Sequence, residues 1–259
     1  MIITKQEQLK NIDLPETIYK YRDWLDDYHK SIITKRQVFL APPDSFEDKL
    51  DCKIPIRYDL LTDKEIYDKY LFYSKIENPR WSNTQHENHA REWTEKTPLR
   101  NLDSIELSQE KFFSGFCKRF GVLSLTAEPA NDFMWAKYSN DFKGFCVGFN
   151  TVVMFNYLGG GGNVIYYDEL PIIYPEPKHS IEEQHSYQVY SKERKWEFEK
   201  EYRTHKFSYT DLTNDERIVT LPPEAYKCLI LGKNMTQEIK ESLRNSIPKE
   251  LSHIEIIDS

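Results

Sequence analysis

Hydrophobic and polar positions change period twice along this chain. Ile18 to Trp24 (Ile-Tyr-Lys-Tyr-Arg-Asp-Trp) alternates as a strand end running into a helix. Val38-Phe39-Leu40-Ala41 reads as a short apolar strand stopped by Pro42-Pro43, since proline cannot donate to a ladder. From Asp63 to about Lys118 the period turns helical, with Ile66, Tyr70 and Tyr73 at i, i+4 and i+7 on one face. The polar stretch Thr84 to Thr97 predicts a solvent-exposed helix or loop. Ile105 to Phe120 predicts an amphipathic helix with Phe112, Phe113, Phe116 and Phe120 sharing a face.

The second half reads mostly as strands. Gly121 to Thr126, Gly144 to Phe149, Asn163 to Tyr167, Glu201 to Tyr209, Lys227 to Leu231 and Ile254 to Ile257 all carry strand patterns, and Asp132 to Tyr138 a short helix. Gly159 to Gly162 is a flexible turn without the phosphate-loop form. Ser180 and Glu183 form a capping box that opens a helix through about Trp196. Asn234 is expected to cap a helix presenting Ile239, Leu243 and Ile247, ended by Pro248. A helix-rich first half and a strand-rich second half predict an α+β fold with a mixed sheet, not the strict alternation of a doubly wound one. No repeat or linker marks a boundary, so one domain over 1–259 is expected, with 63–118 as a helical insertion.

Composition narrows the function classes. With 39% hydrophobic and 30% charged residues, the chain can build a core and is not of the disordered class. A net charge of -7 argues against a diffuse basic surface for duplex nucleic acid. Cys52, Cys117, Cys146 and Cys228 lie in apolar or aromatic stretches with no Cys-x-x-Cys pair, which predicts buried free thiols. Met1 to Lys10 has no following apolar run, so no secretory leader is expected. No segment approaches a membrane span, and a cytoplasmic location is the default.

Four motif clusters remain. They are Tyr19-Lys20-Tyr21-Arg22; Phe39-Leu40-Ala41-Pro42 with Ser45-Phe46-Glu47-Asp48; Ser124 and Thr126 through Met134-Trp135-Ala136-Lys137-Tyr138 to Lys143-Gly144-Phe145; and Trp196-Glu197-Phe198-Glu199-Lys200-Glu201-Tyr202-Arg203. In this order they resemble a bacterial family catalogued as domain of unknown function 2971, over Tyr19 to Gly232. Lys49 stands where that family's pattern leads one to expect proline. The resemblance implies association with toxin or antiviral-defence systems, and so an antitoxin or defence partner.

The order of Arg, a Ser/Thr strand and a late Glu also resembles the layout of ADP-ribosyltransferases. That resemblance implies NAD as substrate, Arg22 orienting it, Ser124 and Thr126 buttressing the nicotinamide, and Glu201 or Glu199 at the ribose. The residue types suit the chemistry. Cleaving the glycosidic bond develops positive charge on the ribose, which a neighbouring carboxylate stabilises. Two carboxylates at i, i+2 on a strand share a face. Tyr19, Tyr21, Trp135 and Tyr138 could wall a nicotinamide or adenine ring. The acceptor would be protein, nucleic acid or water, and the chemistry needs no metal.

Blander readings stand beside these. Arg22 with Asp23 and Asp26 can be a surface ion pair, and Glu199, Glu201 and Arg203 a solvated strand face. Trp135 and Trp196 suit core or pocket walls, and Ser124 and Thr126 suit an ordinary strand. Lys192, Arg194, Lys195 and Lys200, interleaved with Glu193, Glu197 and Glu199, read as a salt-bridged helix. His86, His89 and Glu92 lack a metalloprotease spacing. Two further functional classes remain open. One is a metal-dependent nuclease drawing on Glu47, Asp48, Asp51, Glu199 and Glu201; the other is a non-catalytic sensing module.

Overall fold

The period change read from the sequence becomes a mixed seven-stranded sheet in one part of the chain and a helical assembly in another. The computed structural model describes residues 14–258, so the segment read for a leader lies outside the described residues. Contacts divide the chain into two compact units: one of residues 1–45, 118–168 and 192–259, the other of Phe46–Cys117 and Glu169–Ser191. The helices of 63–118 thus share their unit with a later segment of the chain.

The first unit holds the sheet. Its strands are β1 (Thr17–Arg22), β3 (Phe120–Thr126), β4 (Phe145–Asn150), β5 (Gly162–Asn163), β8 (Glu201–Phe207), β10 (Tyr226–Leu231) and β11 (Glu255–Asp258), in the order β11-β10-β4-β1-β3-β8-β5. Only β10 and β11 run parallel; the other neighbours are antiparallel, so the α+β expectation holds. Smaller ladders join β2 (Gln37–Phe39) to β9 (Ile218–Thr220) and β6 (Ile165–Tyr167) to β7 (Ser191–Glu193).

Strand alternation sends Ile18, Leu123, Leu125, Val147 and Phe149 to one face. There they pack with Ile32 and Ile33 of α1 (Asp27–Thr34), Met154 and Phe155 of α6 (Thr151–Leu158) and Leu243 of α8 (Gln237–Asn245). The opposite face carries a second cluster of Tyr21 and Cys146 under Met134 and Trp135 of α5 (Asp132–Tyr138), with Tyr19, Tyr138 and Phe198 at its margin. Gly159 closes α6 in the left-handed conformation at φ 94°, which explains the start of the glycine run.

The second unit packs α2 (Asp63–Glu77) against α3 (Asn83–Glu95), with α4 (Leu102–Arg119) and α7 (Ile181–Tyr190). A small core of Ile54, Ile56 and Ile173 lies beneath Tyr58 and Tyr187, and Gln188 exchanges two hydrogen bonds with the Ile54 backbone. His86 is buried and shares a 2.8 Å hydrogen bond with Ser74, so α3 has an inner face despite its polar sequence. Cys52, Cys117 and Cys146 are buried free thiols, and Cys228 is half-buried. Among the described residues no helix is long and apolar enough to cross a membrane.

The strand read over Asn163 to Tyr167 divides into β5 and β6, which join different sheets, and three further boundaries differ from expectation. Phe120 leaves the helical phenylalanine face and opens β3 opposite Phe207, because the ladder to β8 takes over there. The helix begun at Ser180 stops at Tyr190, where the chain extends into β7 and then a 3-10 segment, Arg194–Glu199. The cap of α8 is Thr236, whose hydroxyl accepts from Ile239 N, while Asn234 donates its side-chain amide to Asp141 O.

Candidate functional site

The middle of the sheet carries a buried group of charges, and local backbone geometry explains how it assembles. The 3-10 segment ends at Lys200, which adopts a left-handed conformation (φ 42°, ψ 51°) before β8 begins. Glu199 and Glu201 are therefore not i, i+2 residues of one strand. The turn nevertheless brings both to a single cation: Lys192 of β7 places Nζ 2.5 Å from Glu199 Oε2 and 3.0 Å from Glu201 Oε2. Arg203, two residues on along β8 and on the same face, forks onto Glu201 through Nε (2.6 Å) and Nη2 (2.9 Å). Arg203 has no exposed surface, and Glu201 only 3%. The solvated strand face is thus overturned for these residues, as is the helix for Lys192.

Hydrogen bonds from three further places complete the group. Tyr138 of α5 donates to Glu199 Oε1 at 2.6 Å, and the Ser124 hydroxyl of β3 bonds the Glu201 carboxylate. Tyr166 of β6 accepts from Glu201 N at 2.8 Å. Burial alone would raise the Glu201 pKa. The Arg203 and Lys192 charges, with hydrogen bonds from Arg203 and Ser124, outweigh it and hold the carboxyl far below the usual carboxylate range.

Strand β1 contributes a lysine. Its ladder to β3 is registered at one position, Tyr19 with Thr126, and beyond it the half-buried Lys20 donates Nζ to Ser124 O at 2.5 Å. Burial and the Arg22 charge push the Lys20 ammonium down to about 7, against the pull of Glu201 and Glu199. Arg22, which the sequence suggested for a site role, has different surroundings. It donates to Tyr21 O at 3.3 Å and feels the charge of Asp26, the residue that caps α1. Burial lowers its pKa to about 10. The cation that β1 presents to the carboxylates is Lys20.

The aromatic candidates divide by their polar atoms. Tyr21 donates to Glu128 O at 2.7 Å, and its ring meets Trp135 edge-on with centroids 5.0 Å apart. Trp135 donates to Pro129 O at 2.9 Å and stacks on Phe142, so both rings act as walls of the second cluster. Thr126 accepts from Glu128 N at 3.1 Å and shapes the turn after β3. Tyr19 is half-buried on the same cluster, where burial raises its pKa. Only Tyr138 and Ser124 of these candidates touch the carboxylates directly.

Trp196 closes the group on the side of Lys137, Lys192 and Lys195, whose ammonium nitrogens lie 4.3, 5.1 and 5.9 Å from its ring centroid. Its Nε1 is buried with no hydrogen-bond acceptor in reach. Sequence reasoning missed Lys20, Tyr166 and Lys192 as members. Lys20 lay inside a quoted motif, whereas Lys192 was masked by the mixed charges around it. Among the described residues no three or more His, Cys, Asp or Glu side chains gather as a metal-ligand set, and Glu47, Asp48 and Asp51 are not collected into one. No protein-family model, curated protein or solved structure matches this chain.

Proposed function

We propose that the chain is an NAD-using enzyme with an ADP-ribosyltransferase-like arrangement, either transferring ADP-ribose to a macromolecule or hydrolysing NAD. One observation carries the reading. Side chains from three of the four sequence clusters, Lys20, Ser124, Tyr138, Glu199, Glu201 and Arg203, meet at the place where β1 and β3 part. Lys192 and Arg203 balance the two carboxylates there, and the orphaned Trp196 Nε1 supplies a donor for a ligand oxygen or nitrogen.

In this reaction the bond between ribose C1′ and the nicotinamide nitrogen breaks. Its electron pair goes to the nicotinamide, which leaves neutral. An acceptor oxygen or nitrogen, or water, bonds to C1′ and gives up its proton. Glu201, fixed by Arg203, Lys192 and Ser124, supplies negative charge beside the developing oxocarbenium, and Glu199 is placed to orient the acceptor. Arg203 and Lys192 keep Glu201 ionised. The proposal extends to a toxin or antiviral-defence role, which rests on the motif resemblance alone.

The depth of Glu201 favours a second reading, a non-catalytic module that senses an anionic nucleotide. A carboxylate this fully held is also what a structural network looks like. Incubating purified protein with adenine-labelled NAD and a cell lysate separates the two. Label entering protein, RNA or DNA, and absent with Glu201→Gln, supports transfer and names the acceptor class. Free ADP-ribose without macromolecular label supports hydrolysis. Intact NAD in every condition refutes the enzyme and leaves the sensor.

A further inference from the structure

The rim of the buried charge group combines exposed rings with exposed lysines. Helix α5 sends Met134 and Trp135 inward to the second cluster, which leaves Phe133 and Lys137, four residues apart, together on its outer face. Phe133 is 72% exposed, the most of any phenylalanine among the described residues. Its ring centroid lies 5.9 Å from that of Phe198, which in turn lies 6.1 Å from Trp196, so three rings run in series from α5 along the 3-10 segment. Asn131 ties the two elements together: its side chain accepts from Met134 N and donates to Phe198 O at 2.5 Å. Lysines line the series. Lys137 Nζ is 4.3 Å from the Trp196 centroid and 5.3 Å from that of Tyr138, and Lys195 Nζ is 5.9 Å from Trp196. Lys200, also exposed, occupies the left-handed turn after Glu199. Lys195 meets Glu193 as well, but a pair this exposed is weak and exchangeable. Tyr138, the donor to Glu199, joins the rim to the carboxylates.

Rings with lysines between them discriminate among partners. Protein interfaces favour aromatic residues but are depleted in lysine. A single-stranded nucleic acid uses both, since base faces stack on aromatic rings while phosphates meet ammonium groups. A duplex hides those faces, and a net charge of -7 leaves no broad basic surface to hold one. We infer that this rim binds a single-stranded nucleic acid, with a base on Phe133 and phosphates on Lys137, Lys195 and Lys200. Only base faces and phosphates are held, so deoxyribose and ribose strands bind alike. Binding needs no NAD, and the inference therefore stands apart from the NAD reading; taken with it, the strand is the acceptor beside Glu199.

The test follows the fluorescence anisotropy of a labelled oligothymidylate of about 12 nucleotides, within the usual size of a single-strand site, as the full chain is added without NAD. Three phosphate contacts predict a slope of log K against log salt of about -2. Phe133→Ala should weaken binding about fivefold or more, the loss of one stacked base, and Lys137→Gln should reduce the salt slope by about 0.7. Both positions are exposed, so both variants should keep the circular dichroism of the wild type. The matching oligouridylate should bind as tightly, and the matching duplex more weakly. No binding by the wild type at low salt, a duplex held as tightly as the single strand, a strand bound with only one of the two sugars, or an affinity unchanged by Phe133→Ala overturns the inference. Nicotinamide release without strand binding overturns this inference alone, whereas strand binding without nicotinamide release supports it and overturns only the NAD reading.

Discussion

Changing Glu201 to Gln keeps the side-chain shape and removes its charge, which tests the buried network in its most constrained place. Arg203, with no exposed surface, and Lys192 each lose a carboxylate acceptor. The new amide nitrogen must also face donors, since both Glu201 oxygens accept now. Breaking one side of a buried ion pair costs about 3–5 kcal/mol, and Glu199 beside Lys192 places this case near the lower end, at about 3 kcal/mol. For a chain of this length that corresponds to a fall in Tm of roughly 6–12 °C.

The pH dependence has a defined sign. The folded pKa of Glu201 lies far below its ordinary 4.5, so its stabilisation is complete above about pH 4.5 and drains away as the pH falls toward the folded value. The gap between wild type and variant should stay constant from pH 5 to 8 and close in more acid solution. Thermal unfolding followed by circular dichroism, repeated across that range, measures both effects. A loss below about 1 kcal/mol at pH 7, or a gap that persists in acid, refutes the argument for a tightly paired carboxylate.

Other predictions follow from neighbouring groups. Tyr138→Phe removes the donor to Glu199 Oε1 and should cost about 1.5–3 kcal/mol, read from the urea midpoint. Lys20 has a folded pKa near 7 against an ordinary 10.5, so the unfolded chain binds the extra proton between those values. Wild type should therefore gain stability from pH 7 to 10 relative to Lys20→Met, and parallel urea curves would contradict this. Gly144→Ala would bring a methyl 2.1 Å from Arg22 O and 2.9 Å from Ser139 O, both backbone atoms. A loss of about 1–3 kcal/mol or more is expected, and a soluble variant with unchanged melting would show that this turn can yield.

Local signals were legible where they depend on few residues. The helix Asp132–Tyr138 and the capping box at Ser180 followed from spacing and side-chain type alone. The end of the second was hidden, because only the burial of Lys192 between two carboxylates explains why a helix-compatible run becomes extended. Likewise Asn234 and Thr236 are equally good caps on paper, and the backbone of Asp141, far away in the chain, decides between them. Glu199 and Glu201 were rightly paired for the wrong reason: a left-handed Lys200, not strand alternation, brings them together. Lys20 and Arg22 share strand parity, so nothing local could say which would face the carboxylates.

The most direct measurement is the initial rate of nicotinamide release from NAD by purified protein, compared with Glu199→Gln and Glu201→Gln at equal folded fraction. The account predicts release by the wild type and a loss of about 10²-fold or more with Glu201→Gln, the scale on which a transition-state electrostatic partner acts. Wild-type release no faster than in buffer, or undiminished release by a folded Glu201→Gln variant, would contradict it.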